Sequence, residues 1–181
     1  MALKATIYKA ELSVADMDRG HYGDHSLTIA RHPSETEERM MMRVLAFGLH
    51  ADPALAFGRG LSSDDEPDLS RADLTGAIEA WIDVGWPDER RVRRAASRAG
   101  AVTVLTYGGA KADAWWAQNG GALARCGNLE VLEVPPGATA ELAALARRAM
   151  RLHCSIQDGH VLFGSDDGQV AFEPAVRKAR A

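Results

Sequence analysis

The segment AIEAWIDVG constrains the fold more than any other. Its residues alternate strictly, with Ile78, Ala80, Ile82 and Val84 on one side and Glu79, Trp81, Asp83 and Gly85 on the other. A period of two marks a strand, because successive side chains leave opposite faces. Pro87 stops it. DERRVRRAASRAG then reads as a helix, with acids at its N-terminal end and Gly100 as its cap, and the β-branched run AVTVLTYG reads as a buried strand. A strand, helix and strand at the centre of a 181-residue chain predict one domain built on a mixed sheet.

Both ends add antiparallel pairs. ALKATIYKAELSVAD and HSLTIARH alternate around the polar turn MDRGHYGD and predict an N-terminal hairpin. Ser34 follows Pro33 and has Glu37 three residues on, a capping box that starts a helix running to about Leu49. Further on, ADAWWAQNG reads as a helix, LEVLEV as a strand and TAELAALARRAMRL as an amphipathic helix. CSIQ, HVLFG and QVAFE form a meander with turns at Asp158-Gly159 and Asp166-Asp167-Gly168, and the basic tail RKAR is expected to fray. The fold class expected is mixed α+β.

Composition narrows the function. The net charge of −4 has the wrong sign for a protein whose whole surface coats nucleic acid, so any phosphate contact must be local. Cys126 and Cys154 fit neither a zinc spacing nor a disulfide framework, and no stretch reaches the ~18 apolar residues of a membrane span. A cytoplasmic protein is expected. P-loop, GxGxxG, GxSxG and HExxH motifs are missing from the sequence. His21 and His25 lie four apart, but in a glycine-containing stretch read as a turn, so no histidine metal site is expected.

Carboxylates and arginines remain. Glu38 has Met41, Met42, Leu45 and Leu49 as its helix-face neighbours, which points it toward the core, where a charge needs a partner. Asp83 sits mid-strand, against its propensity. Asp68 follows the extended Glu66-Pro67 pair. Such acids on a helix, at the start of a hairpin and in its next strand can share a hard cation, Mg²⁺ or Mn²⁺. Arg90, Arg91, Arg93, Arg94 and Arg98 follow directly, opposed within that helix by Asp88 and Glu89. They suit phosphate held near a metal, or equally the neutralisation of the acids by ion pairs.

HPSETEERMMMRVLAF, GLSSDDEPDLS, WIDVGWPDERRVRRA, the late IQDG and the opening MALKATIYKAELSVADMDRGHY resemble the YaeQ family of small bacterial proteins over nearly the whole chain. The resemblance implies a PD-(D/E)XK, restriction-endonuclease-like core over about residues 34–107: helix, three antiparallel-type strands, helix, strand. It implies Mg²⁺ or Mn²⁺ bound by Asp68, Asp83 and Glu38, with Glu35 as a second choice for the helix acid. Arg94 would act beside these acids in catalysis, and Arg90 and Arg91 would hold substrate phosphate. The family's lysine place falls on Gly85, which supplies neither charge nor proton transfer. The expected function is therefore a metal-dependent nuclease-like activity on nucleic-acid phosphodiesters. The alternative is a non-catalytic binding or regulatory protein that keeps the fold. Nucleic acid through the arginine helix, or a protein, would be the partner, with no membrane role.

Overall fold

The computed structural model describes residues 4–59 and 65–181. Eleven strands and four helices follow one another in it. The hairpin β1 (Thr6–Asp16) and β2 (His21–Arg31) leads into helix α1 (Glu37–Leu49). Three strands follow, β3 (Leu55–Phe57), β4 (Leu69–Ala72) and β5 (Ile78–Val84), then α2 (Glu89–Arg98) and β6 (Ala99–Thr106). Next come α3 (Ala110–Leu123), β7 (Leu129–Glu133) and α4 (Pro136–Ala144). The chain finishes with β8 (Ala149–Gln157), β9 (His160–Ser165), β10 (Gly168–Phe172) and β11 (Ala175–Lys178).

These strands form two mixed sheets, in orders β10-β9-β8-β1-β2 and β11-β7-β6-β5-β4-β3. In the first, β1 runs parallel to β8; in the second, β5, β6 and β7 are parallel and β3, β4 and β5 antiparallel. Helix α1 lies between the sheets, touching β1, β2 and β8 on one side and β4 and β5 on the other. Its residues from Met40 to Gly48 are all buried, as expected for a helix with no solvent face. A second apolar cluster, built around Trp81, Val92, Val104, Trp115 and Val131, packs α2 and α3 on the opposite side of the six-stranded sheet.

Several sequence expectations need correction. Helix α1 is capped by Thr36, whose side chain accepts from the Arg39 N–H, while Ser34 bonds His32 instead. Gly100 does not cap α2: the C-cap is Ala99, and Gly100 already lies in β6, close against the Glu79 carbonyl. The helix expected over residues 139–152 ends at Ala144, and Ala149 to Leu152 open strand β8. Met150, Leu152, Cys154 and Ile156 are buried alternately there, so pairing with β1 overrides the helical period that the alanines and leucines suggest. The tail does not fray. It forms β11 on the edge of β7, where Arg177 bonds Glu133 and Asp113, and Arg180 pairs with Glu130 at 2.9 Å.

Candidate functional site

Asp68 stands just before β4, one step beyond the Leu69–Ile82 pair of the β4–β5 ladder, and therefore opposite Asp83. Opposed like charges are destabilising unless something intervenes. Here backbone and guanidinium groups do so. The Val84 N–H donates to Asp68 Oδ2 at 2.8 Å, and the Asp68 N–H reaches Asp83 Oδ1 at 3.4 Å. Arg91 of α2 grips Asp83 with a fork, Nε to Oδ2 at 2.8 Å and Nη2 to Oδ1 at 2.9 Å, and also donates to the Glu66 carbonyl at 2.6 Å. Arg39 of α1 donates from Nη2 to both oxygens of Asp68 at 2.9 Å and to the Val84 carbonyl.

The ladder continues inward. Glu35, 2% exposed, accepts from Arg39 Nη1 at 3.3 Å and from Arg43 Nε and Nη2 at 2.8 Å each. Arg43 is itself buried among the α1 methionines and lends a further bond to the Ala30 carbonyl. Glu35, Asp68 and Asp83 are thus matched one for one by Arg43, Arg39 and Arg91. Burial alone would lower the Arg39 pKa, but the Asp68 charge and hydrogen bond, with Glu35 behind them, raise it above its ordinary value.

Glu38 is not the inward acid. It is half-buried and makes no ion pair among the described residues, whereas Glu35, in the turn before the Thr36 cap, folds under the helix. The first helical turn faces outward where the deeper turns are enclosed, so the stripe of Met41 to Leu49 does not carry Glu38 in with it. Glu38 instead acts electrostatically on Tyr107, a residue the sequence offered no reason to select. Burial pushes that phenol up to about 12, opposed by Arg39 and aided by Glu38, Glu35 and Asp68, so Tyr107 stays protonated beside the acids. Trp86 packs on it, with ring centroids 4.7 Å apart, and Lys111 Nζ lies 3.8 Å over the indole.

The remaining arginines of α2 point elsewhere. Arg90, Arg93 and Arg94 line an open cleft of about 680 Å³ with Asp88, Glu89 and Asn119. Arg94 bonds Asp65 at 2.6 Å, Arg93 bonds Glu89, and Arg98 lies over the Trp81 ring. Gly85, at the expected lysine place, has φ +106 and donates its N–H to the Leu105 carbonyl. Open space surrounds it, but its backbone lies in a region L side chains avoid.

The implied divalent cation does not fit this arrangement. Mg²⁺ demands near-octahedral oxygens, while both oxygens of Asp68 and of Asp83 are already held by guanidiniums. Among the described residues, no three His, Cys, Asp or Glu side chains are placed to hold a metal ion.

Fold and site define a mixed α+β protein of two sheets around one buried helix, with an acid and arginine ladder crossing from that helix to the second sheet. The family model described as YaeQ protein matches residues 1–174, and the chain belongs to that family. It is 49% identical over 168 residues to the "Uncharacterized protein YaeQ" of Escherichia coli (strain K12), covering 92% of each chain. The Salmonella typhi protein of the same description is 48% identical over 162 residues, 89% of each. The crystal structure of the YaeQ protein from Xanthomonas axonopodis pv. citri superposes with a TM-score of 0.94 at 52% identity, covering 97% of this chain and 99% of that one. The Pseudomonas syringae YaeQ structure gives 0.92 at 36% identity, covering 97% of each. No helix among the described residues is long and apolar enough to cross a membrane.

Proposed function

We propose that the chain is a PD-(D/E)XK-like domain that holds nucleic-acid phosphate without hydrolysing it. The order α1, β3, β4, β5, α2, β6 supports the superfamily reading, as does the position of Asp68 and Asp83 on neighbouring strands. One observation carries the non-catalytic half: Asp68, Asp83 and Glu35 are paired with the guanidiniums of Arg39, Arg91 and Arg43 respectively, while Glu38 makes no ion pair among the described residues. A glycine with left-handed backbone at the lysine place points the same way. Phosphate would be met by Arg90, Arg93 and Arg94 in their cleft, where exposed guanidiniums can fork onto a backbone oxygen pair.

Metal-dependent hydrolysis is the second reading, favoured by the facing of Asp68 and Asp83. Anisotropy of labelled single- and double-stranded DNA and of RNA, read against salt, tests the binding, and gel assays with Mg²⁺ test cleavage. The expected result is salt-sensitive binding, weakened in an Arg90→Ala, Arg94→Ala double variant, with no cleavage. Cleavage by the wild type that disappears in Asp83→Ala would overturn this in favour of the hydrolase. Absence of binding to all three polymers would remove nucleic acid as the partner.

A further inference from the structure

Outside the ladder, the most chemically specific cluster lies at the start of β2. His21, Gly23 and His25 share one face of that strand, since side chains two apart point the same way. The two imidazoles lean over Gly23 until their Nε2 atoms are 3.1 Å apart, with ring centroids at 5.3 Å. A Cβ on Gly23 would sit 3.6 Å from one Nε2 and 3.7 Å from the other, so the bare glycine leaves the space over the nitrogens clear. The His25 ring is set edge-on against Phe47 of α1, and β2 is locked residue for residue to β1. Both rings are half-buried, on the outer edge strand of their sheet.

We infer that His21 and His25 form a chelating site for a borderline divalent transition ion, such as Zn²⁺, Ni²⁺ or Cu²⁺. Two nitrogens bound about 2.0–2.1 Å from one ion, at angles between octahedral and tetrahedral, stand about 2.9–3.4 Å apart. The observed separation falls within that span without any movement of the strand. Imidazole selects these ions over Mg²⁺ or Ca²⁺. Without an ion, one ring must donate its Nε2 proton to the other. With an ion bound, both Nε2 lone pairs ligate and that ring carries its single proton on Nδ1 instead, so no net proton is released. Water completes the coordination.

The site is independent of the acid ladder, and the experiment keeps the two apart. Full-length protein without a polyhistidine tag is titrated calorimetrically with NiCl₂ and ZnCl₂. One ion per chain is expected, with affinity lowered at least about tenfold in His21→Asn and in His25→Asn. Binding should be unchanged in His160→Asn and in Asp83→Ala. A measurement on the unaltered protein guards against misfolded variants: paramagnetic Ni²⁺ should broaden the imidazole resonances of His21 and His25 before those of the other histidines. Lack of stoichiometric binding, wild-type affinity in both histidine variants, loss of binding in Asp83→Ala, or uniform broadening would each overturn the site.

Discussion

Asp68 and Asp83 face each other across the β4–β5 ladder, and each is bound from the other's strand: the Asp68 N–H meets Asp83 Oδ1, and the N–H of Val84, next to Asp83, meets Asp68 Oδ2. Two buried carboxylates so close would repel each other without Arg39 and Arg91. The arginines therefore decide whether this corner of the sheet holds together at all.

Removal of one of them should be costly. Arg91→Ala leaves Asp83, whose side chain is only 2% exposed, without its counter-charge. Destabilisation by about 3 kcal/mol is expected, because breaking one half of a buried pair leaves the other desolvated and unpaired. Urea unfolding of the wild type, Arg91→Ala, Asp83→Asn and the double variant measures it. The double variant should recover part of the loss, and strictly additive costs would contradict the coupling.

Restoring a lysine at the position the resemblance assigns to it should harm the protein. Gly85→Lys places a side chain on a residue with φ +106, which is expected to cost about 1–2 kcal/mol through backbone strain alone, since the space around it is open. Chemical denaturation reads the cost. A variant as stable as the wild type would show that the strand end relaxes freely.

Stability should fall between neutral and mildly acidic pH through His50. Burial pushes this imidazole down to about 4, and its Nδ1 faces the Ala46 carbonyl, so Nδ1 carries the proton in the neutral ring. A folded-state pKa below the unfolded value means the unfolded chain takes up the proton first. The contribution is complete above about pH 6.5 and is lost as pH falls toward 4, amounting to about 3 kcal/mol over that window. Urea midpoints at intervals across it should fall less steeply in His50→Gln than in the wild type, and parallel curves would refute the assignment.

The cysteines should separate cleanly by reactivity. Cys154 is buried in β8 and its thiol is pushed up to about 12, chiefly by burial, whereas Cys126 is partly exposed. At pH 8 a disulfide reagent should modify one thiol per native chain and both after denaturation, with peptide mapping locating the first at Cys126. Rapid native labelling of Cys154 would mean that β8 opens.

Legibility in the sequence followed the range of the forces involved. AIEAWIDVG lies in β5 because alternation and a proline stop are local signals, and the meander turns are local too. The first half of β8 was hidden because RAMRLHCS satisfies either period, and only its distant partner β1 settles the matter, whereas its second half, CSIQ, was legible as a strand. Strand β11 was hidden for the same reason: its partners Glu133 and Asp113 lie far back in the chain. In the site, Asp83 was legible as an acid placed against strand preference, and Asp68 as the acid that follows the extended Glu66-Pro67 pair. Glu35 was outranked by Glu38 because helix periodicity carries no information about a residue one step before the cap. The convergence of His21 and His25 stayed invisible while their segment read as a turn, since only a strand sets them on a common face.

The parallel pairing of β1 with β8 joins Lys9 to Ala149, so one sheet is assembled from the two ends of the chain while the other, apart from its edge strand β11, is written between them. During synthesis the first hairpin leaves the ribosome with the β8-side edge of β1 unpaired. At ordinary translation speeds the matching strand arrives on the order of ten seconds later. In that interval the nascent protein presents an open template for foreign strands, guarded on its outer face by Lys9 and Glu11. Closure of the loop between them then becomes the slow, late event of folding, and a chain cut short before β8 would be left with that edge permanently open.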